Sequence, residues 1–421
     1  MNQQNIIGKK LLILAGASVH IKVVQAAKEL GVYTIVTDNL SPEYAPAKLE
    51  ADEYWMINIY DIDEIVAKCK DESVDGVLAF CIDPAQIPYQ QICEKLNLPC
   101  YGTSEQFKIF THKTLFKDLC RKYNVDVIPE YSKEDIIYEN VKYPVIIKPT
   151  DSRGSRGISL CYNKDEALKA IDVACAESSD NNFIIERYMC NAEDMSFAYM
   201  VVDGVPHLVK IGDRILGYEE DNLQCQHMAT FLPSKHTQQY ITDVEPNVKR
   251  MIKGIGMQFG SVFLQGFWED GKVYMYDPGL RFPGSDFDVV TKSVTNFDAM
   301  KSFVNFALTG DDSVCYGDID LAYNYNGGLC IILSVSTRSG VIGKITGLKS
   351  INEHPFIIDV SQRYKEGEFV PNTGDVRQRV LEFVAYIKNP SESKAFFDYI
   401  YSTLSIQDEL GNDMIISKVK Y

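Results

Sequence analysis

The feature that most narrows the possible folds is the early alternation of short apolar runs with a helical repeat. Residues 11–15, LLILA, form an apolar run closed by Gly16, and VHIKVVQAAKEL, Val19 to Leu30, repeats its apolar positions with helical spacing before Gly31. YTIVT, Tyr33 to Thr37, is β-rich and ends at Asp38. Strand, turn, helix and strand in this order predict a parallel α/β unit. A further unit runs from DIDEIVAKCK through GVLAF, Gly76 to Phe80, into the helix-like IPYQQICEKLNL, so the first hundred or so residues predict an open parallel sheet. The stretch GASVHIKVV lacks the G-x-G-x-x-G spacing, and Asp38 alone does not make a dinucleotide site. Gly16, Ala17 and Ser18 read as a tight βα turn with a helix cap, at a place in an open sheet suited to a small ligand.

After a helical segment, SEQFKIFTHKTLFKDLCRKYNV, the pattern changes to short β-rich pieces: YPVIIKPT, GISLCY, NNFIIERY, DMSFAYMVVDGVPHLVKIG and SVFLQGFWEDGKVYMYDPG. Asp203-Gly204 and Asp270-Gly271 predict two hairpins, and the whole stretch predicts an antiparallel, ligand-covering domain. From about Gly310, glycine-punctuated strand-like pieces follow. Two helical runs are then expected, near RQRVLEFVAYIK and ESKAFFDYIYSTL. The expected division is an N-terminal α/β domain over residues 1–102, a central domain over 103–310 with a small part at about 125–188, and a C-terminal α+β region over 311–421.

Charge and cysteine usage exclude whole classes of partner. Acidic residues outnumber basic ones 58 to 42, and a net charge of -16 repels nucleic acid and anionic membranes. Eleven cysteines without a CxxC pair predict reduced thiols in a cytoplasmic protein, with no disulfide framework and no zinc knuckle. No stretch has the length of a membrane span, and MNQQNIIGKK is too polar for a signal peptide.

Three segments carry candidate chemistry. In KPTDSRGSRG, Lys148 to Gly157, Gly154 and Gly157 allow a tight turn whose N–H groups form an anion-binding concavity. Ser152 and Ser155 add hydroxyl donors, and Arg153 and Arg156 add charge at the rim. Phosphate is the natural guest, with Lys148 at the strand end reaching it, although a solvated surface turn gives the same pattern. In FIIERYMCNAED, an apolar strand runs into Glu186, Arg187, Tyr188 and Met189, which suits the edge of an adenine pocket, with Glu193 placed to reach ribose hydroxyls. In FLQGFWEDGKVYMYDPGLRFPGS, Gln265 and Asp277 fall on neighbouring strands where both side chains can face one magnesium, and Arg281 follows; Asp277 as the cap of its own turn is the structural alternative. His20, after the GAS turn, and His227, in QCQHMATFLPSKH, read more readily as core or surface histidines than as substrate contact or base.

In order and spacing these segments resemble the ATP-grasp superfamily. STRSGVIGKITGL, ending at Leu348, resembles the C-terminal segment of its carbamoyl-phosphate-synthase-like and L-amino-acid-ligase-like members. The resemblance implies an α/β fold in which the N-terminal open parallel sheet domain precedes a two-part ATP-grasp domain and a small C-terminal α+β region. It implies that Lys113 and Lys148 contact the phosphates of ATP beside the Ser152, Ser155 and Gly157 loop. The hinge Glu186, Arg187, Tyr188 and Met189 would hold adenine, Glu193 the ribose, and Asp277 with Gln265 a Mg2+ ion. Lys148, Arg281 and Arg214 would carry the charge that catalysis needs. The reaction implied is carboxylate–amine ligation through an acyl phosphate, with small-molecule carboxylate and amine substrates; a homodimer is compatible with it. Two departures stand out: Gln265 replaces the usual first metal glutamate, and YDPG replaces the second glutamate and asparagine region, with Asp286 and Asp288 as nearby anionic alternatives. The rival expectations are an ATP-dependent carboxylase or phosphotransferase, and a non-catalytic nucleotide-binding protein.

Overall fold

The computed structural model describes residues 6–150, 157–190, 192–218, 225–320, 322–374, 376–416 and 418–419. The N-terminal sheet has four parallel strands in the spatial order Glu53–Trp55, Tyr33–Thr37, Lys10–Leu14, Gly76–Leu78. The chain builds outward from Lys10–Leu14 on one side, then crosses to place Gly76–Leu78 on the other. That reversal opens a crevice beyond the carboxyl ends of the two strands, where open α/β sheets hold ligands. Its rim is made by the Gly16–Ser18 turn and residues 79–83. Asp38 accepts the Gly16 N–H at 2.9 Å, so it fixes the turn, an ordinary capping role.

The predicted helical segment after residue 103 is two helices, Ser104–Thr111 and Lys113–Lys122, separated at His112 by an extended backbone. Thr103 and Gln106 form a capping box on the first. A small antiparallel sheet follows, in the order Glu130–Tyr131, Phe183–Arg187, Val145–Pro149, Ser159–Cys161. The helix Lys164–Glu177 packs on it around its own core of Val145, Ile147, Ala167, Ile171 and Ile185. This lobe therefore has a core separate from the rest of the molecule.

The largest element is an eight-stranded antiparallel sheet. Its order is Lys272–Gly279, Gly260–Glu269, Glu193–Val202, Val205–Tyr218, Cys225–Leu232, Leu329–Ser336, Arg379–Ile387, Ile357–Gln362. Both expected hairpins are present. Asp203 and Gly204 (φ 49° and 69°) and Asp270 and Gly271 (φ 51° and 77°) adopt the left-handed backbone that a two-residue hairpin turn demands. One expected helix is corrected: RQRVLEFVAYIK is the strand Arg379–Ile387, buried between Leu329–Ser336 and Ile357–Gln362. Its β-branched and aromatic residues fill both faces of a central strand, a pattern that apolar periodicity alone does not separate from a buried helix. ESKAFFDYIYSTL does form a helix, Ser393–Thr403. No helix among the described residues is long and apolar enough to cross a membrane.

Candidate active site

Two lysines, Lys113 and Lys117, stand one turn apart on the helix Lys113–Lys122 and so share a face. Lys117 is fully buried and ion-pairs with Glu186 and, at 2.7 Å, with Glu130. Lys148, near the end of the strand Val145–Pro149, reaches the other oxygen of Glu186 at 2.6 Å. The Glu186 strand lies beside that of Lys148, with Ile146 opposite Glu186 in register. The result is an alternating ladder, Lys148, Glu186, Lys117, Glu130, Arg121. Burial works against the Glu186 charge, but Lys148 and Lys117 together hold its carboxyl below the usual range. The ladder fastens the small lobe to the helix and holds the Lys148 ammonium at the strand end.

Asp277 and Gln265 are direct partners across the hairpin Gly260–Glu269 and Lys272–Gly279, so their side chains leave the sheet on one face. Asp277 is exposed to water, but the protein around it desolvates its carboxyl in part. That environment pushes its carboxyl up, and Lys113, Lys148 and Arg281 pull it back while Asp83 adds repulsion. Cations from the helix, the lobe and the hairpin end thus all act on one carboxylate. Arg281 forms a bidentate pair with Asp83, at 2.6 and 3.1 Å, and lies over the Phe263 ring at 5.2 Å. Asp83 belongs to the switch-point rim, so this pair joins the N-terminal sheet to the hairpin end.

Further along the large sheet, Arg214 donates to Asp194 at 2.9 Å and to the Tyr276 hydroxyl at 3.0 Å; Tyr276 in turn donates to Asp194 at 3.0 Å. Burial raises the Asp194 carboxyl against the pull of Arg214. His227 is held between the hydroxyls of Thr230, at 2.7 Å, and Ser334, at 3.2 Å, and burial with nearby Arg214, Arg379 and Lys210 keeps it neutral. Ser334 donates to Glu382, which Arg379 also binds. His20 is fully buried; its ring Nε2 meets the Phe80 carbonyl at 3.1 Å, and burial lowers its pKa to about 4. It is a core histidine of the N-terminal domain.

The charges of Lys113, Lys148 and Arg281 all act on Asp277, and Gln265 is its cross-strand partner. Gly157 is described, but Ser152, Arg153, Gly154, Ser155 and Arg156 lie outside the described residues. The side chain of Arg187, expected at the adenine edge, pairs with Glu269 at 2.5 Å, over the Tyr274 ring. Met189 is buried and Tyr188 half-buried beside it. Glu193 pairs with Lys235 at 2.8 Å and His236 at 2.5 Å. The expected alternative metal acids are corrected: Asp286 and Asp288 are turned to Lys22 of the N-terminal domain, at 2.8 and 3.7 Å. Among the described residues no three His, Cys, Asp or Glu side chains converge as metal ligands. Sequence reasoning missed Lys117, Asp83, Asp194, Lys210 and Lys22. Only Lys117 had a local signal, its spacing four residues after Lys113.

Residues 112–241, which contain the lysine ladder and the hinge, match the family model of the carbamoyl-phosphate synthase L chain, ATP binding domain. The model also superposes on the crystal structure of L-amino acid ligase from Bacillus licheniformis with a TM-score of 0.77, over 96% of this chain and 99% of that one, at 15% identity. The chain has the two-lobed ATP-grasp-like fold, and its family match lies in residues 112–241. The 2-oxoglutarate carboxylase small subunit of Hydrogenobacter thermophilus is 20% identical over 79% of this chain and 73% of its own length. The formate-dependent phosphoribosylglycinamide formyltransferase of Prochlorococcus marinus is 27% identical over 44% of this chain. The match spans about half, 49%, of that enzyme.

Proposed function

We propose that the chain binds ATP between the small lobe and the large sheet and uses it to activate a small carboxylate as an acyl phosphate. The observation that carries this reading is the convergence of Lys113, Lys148 and Arg281 on Asp277 at the open end of the hairpin. Triphosphate oxygens are the ligands that such a set of cations fits. Lys113, at the N-terminus of its helix, adds a side-chain charge to the positive end of the helix dipole. The hinge Glu186 to Met189 forms the adenine edge through its backbone, because the Glu186 carboxylate is consumed by the two lysines. Glu193 reaches ribose by exchanging its pairs with Lys235 and His236.

One carboxylate and one amide suit a magnesium ion that arrives with the nucleotide, since this ion keeps waters and phosphate oxygens as most of its ligands. Asp277 and Gln265 would hold it, and it would neutralise charge on the phosphates. In the reaction, a carboxylate oxygen attacks the γ-phosphorus and the bond to the bridging oxygen breaks, so ADP leaves with the electron pair. An amine nitrogen then attacks the acyl carbon, the bond to phosphate breaks, and the amine proton passes to solvent. Lys148 and Arg281 stabilise the charge on the moving phosphoryl group, and the Asp83 pair keeps Arg281 oriented. Arg214, tied to Asp194 and Tyr276, sets the field further along the sheet.

A second reading is favoured by the relation to the 2-oxoglutarate carboxylase small subunit, which covers more of this chain than does the formyltransferase. In that reading bicarbonate replaces the organic carboxylate and carboxyphosphate is the acyl phosphate. Incubation with ATP, magnesium, a panel of carboxylates or bicarbonate, and hydroxylamine tests both. Stoichiometric ADP and hydroxamate with an organic acid support ligation. ADP release with bicarbonate alone supports carboxylation. Tight ATP binding without ADP from any acid supports the non-catalytic nucleotide-binding alternative.

A further inference from the structure

The C-terminal region carries a cavity that nucleotide binding does not use. The helix Leu348–Asn352 ends at a turn in which His354 Nδ1 accepts the Phe356 N–H at 3.3 Å, and the chain then enters the strand Ile357–Gln362. The helix Ser393–Thr403 packs beside it, and the Tyr399 hydroxyl ties the two helices by donating to the Ser350 carbonyl at 3.0 Å. Here lies an open cavity of about 480 Å³, whose lining includes Glu353, His354, Phe356, Glu392, Phe396 and Tyr399. Cavities of roughly 300–1,000 Å³ with aromatic walls and few polar groups hold small molecules. Phe356, Phe396 and Tyr399 pack in the core around Leu381 and Ile400, whereas the hairpin of Gln265 and Asp277 packs in the core that contains Leu264 and Met275. The two sites therefore stand on different cores.

The walls are aromatic and the charge is of one sign. The His354 ring centroid lies 4.7 Å from that of Tyr399, 5.0 Å from that of Phe356 and 5.5 Å from that of Phe396, so four rings gather at one place. Phe396 is only 1% exposed, while His354, Phe356 and Tyr399 are half-buried and keep surface to offer. His354 adds a ring without a charge: its Nδ1 serves as an acceptor, and burial lowers its pKa from the ordinary 6.5. The Glu353 and Glu392 side chains are exposed at the cavity, and among the described residues neither carboxylate makes an ion pair or a hydrogen bond. No lysine or arginine belongs to the lining; Lys394, close to Glu392 in sequence, is paired with Asp398 at 2.8 Å, and Lys349, one turn before Glu353, stays unpaired with it. This set discriminates by charge. An anion meets two carboxylates and no cation, and a neutral aromatic gains ring contact alone. A cation gains both the negative faces of the rings and the two carboxylates.

We propose that this cavity binds a small organic cation, an ammonium or quaternary ammonium group on an apolar body, with its charge answered by Glu353 and Glu392 and its body by the rings of Phe356 and Tyr399. The proposal is independent of the ATP cleft and does not rest on the reading of that cleft. Phosphates and carboxylates, the ligands that suit Lys148 and Arg281, are excluded here by the same carboxylates that attract a cation.

The test is a calorimetric titration of the full chain with benzyltrimethylammonium chloride, with phenylacetate and benzyl alcohol as anionic and neutral probes of similar size, each repeated in saturating ATP and magnesium. The cation is expected to bind with a dissociation constant below about 1 mM, tenfold or more tighter than either other probe. Saturating ATP should leave that constant unchanged within a factor of two. The double variant Glu353→Gln, Glu392→Gln should weaken the cation tenfold or more, and it should fold normally because both side chains are exposed and unpaired. Tyr399→Leu should weaken it as well and Tyr399→Phe should restore it, since the ring and not the hydroxyl meets the cation. Equal affinity for the three probes, or none for the cation, overturns the proposal. Undiminished binding by the double glutamine variant also overturns it, and displacement of the cation by ATP does so by assigning the probe to the nucleotide cleft.

Discussion

Glu186→Gln is the most informative perturbation of the lysine ladder, because one carboxylate serves two buried ammonium groups. The Lys148 contact at 2.6 Å is worth about 6 kcal/mol of gross Coulomb energy at an effective dielectric of about 20. Desolvation of both ions consumes much of this, and removing one partner of a buried pair costs about 3–5 kcal/mol net. Lys117 keeps Glu130, which is partly exposed, so one uncompensated ammonium, that of Lys148, sets the loss. Glu186→Gln should therefore destabilise the small lobe by about 3–5 kcal/mol. Hydrogen exchange at the amides of Phe183–Arg187 and of Val145, Ile146, Ile147 and Lys148 measures this without assuming that the whole chain unfolds in one step. The loss should shrink when ATP is added, because phosphate oxygens then supply the anion that Lys148 has lost. The wild-type pH profile gives the sign independently. The folded carboxyl lies below its ordinary value of 4.5, so its contribution is full above that value and fades as pH falls through the lower folded value. Exchange rates in Glu186→Gln within a factor of two of wild type, with and without ATP, would refute the ladder as the fastening of this lobe.

Three further outcomes are expected. Lys148→Ala should weaken ATP binding by about 1.5–3 kcal/mol in a calorimetric titration, the range of a hydrogen bond to a charged group, and unchanged affinity in a folded variant removes Lys148 from the site. Asp277→Asn should suppress ADP release far more than nucleotide affinity, whereas Gln265→Glu, which restores a second carboxylate opposite Asp277, should tighten magnesium and keep activity at or above wild type; loss of activity in the latter shows that the neutral amide is required. Gly76→Ala should destabilise the N-terminal domain by about 1–3 kcal/mol, since its new methyl would lie 2.4 Å from the Ala307 carbonyl oxygen, and a denaturation midpoint equal to wild type contradicts the close helix-to-strand packing there.

The sequence by itself determined whatever is local. The parallel unit of residues 10–37 was legible because its apolar runs and helical repeat are contiguous, and the Asp203-Gly204 and Asp270-Gly271 hairpins because turn chemistry acts over two residues. The pairing of Gln265 with Asp277 was not legible in this way: the turn register sets Gln265 opposite Tyr276, and a bulge between Gln265 and Gly266 moves it opposite Asp277. Only the tertiary structure decided the rest. RQRVLEFVAYIK is as apolar as a buried helix, and it is a strand because its two partners, Leu329–Ser336 and Ile357–Gln362, lie beside it in the large sheet. The charge partners are equally non-local: Lys117 meets Glu186 across 69 residues, Arg281 meets Asp83 across 198, and Lys22 meets Asp286 across 264. Nothing in the composition of either segment marks such a pair, because an ion pair depends on distance and burial, and both exist only once the sheets have packed.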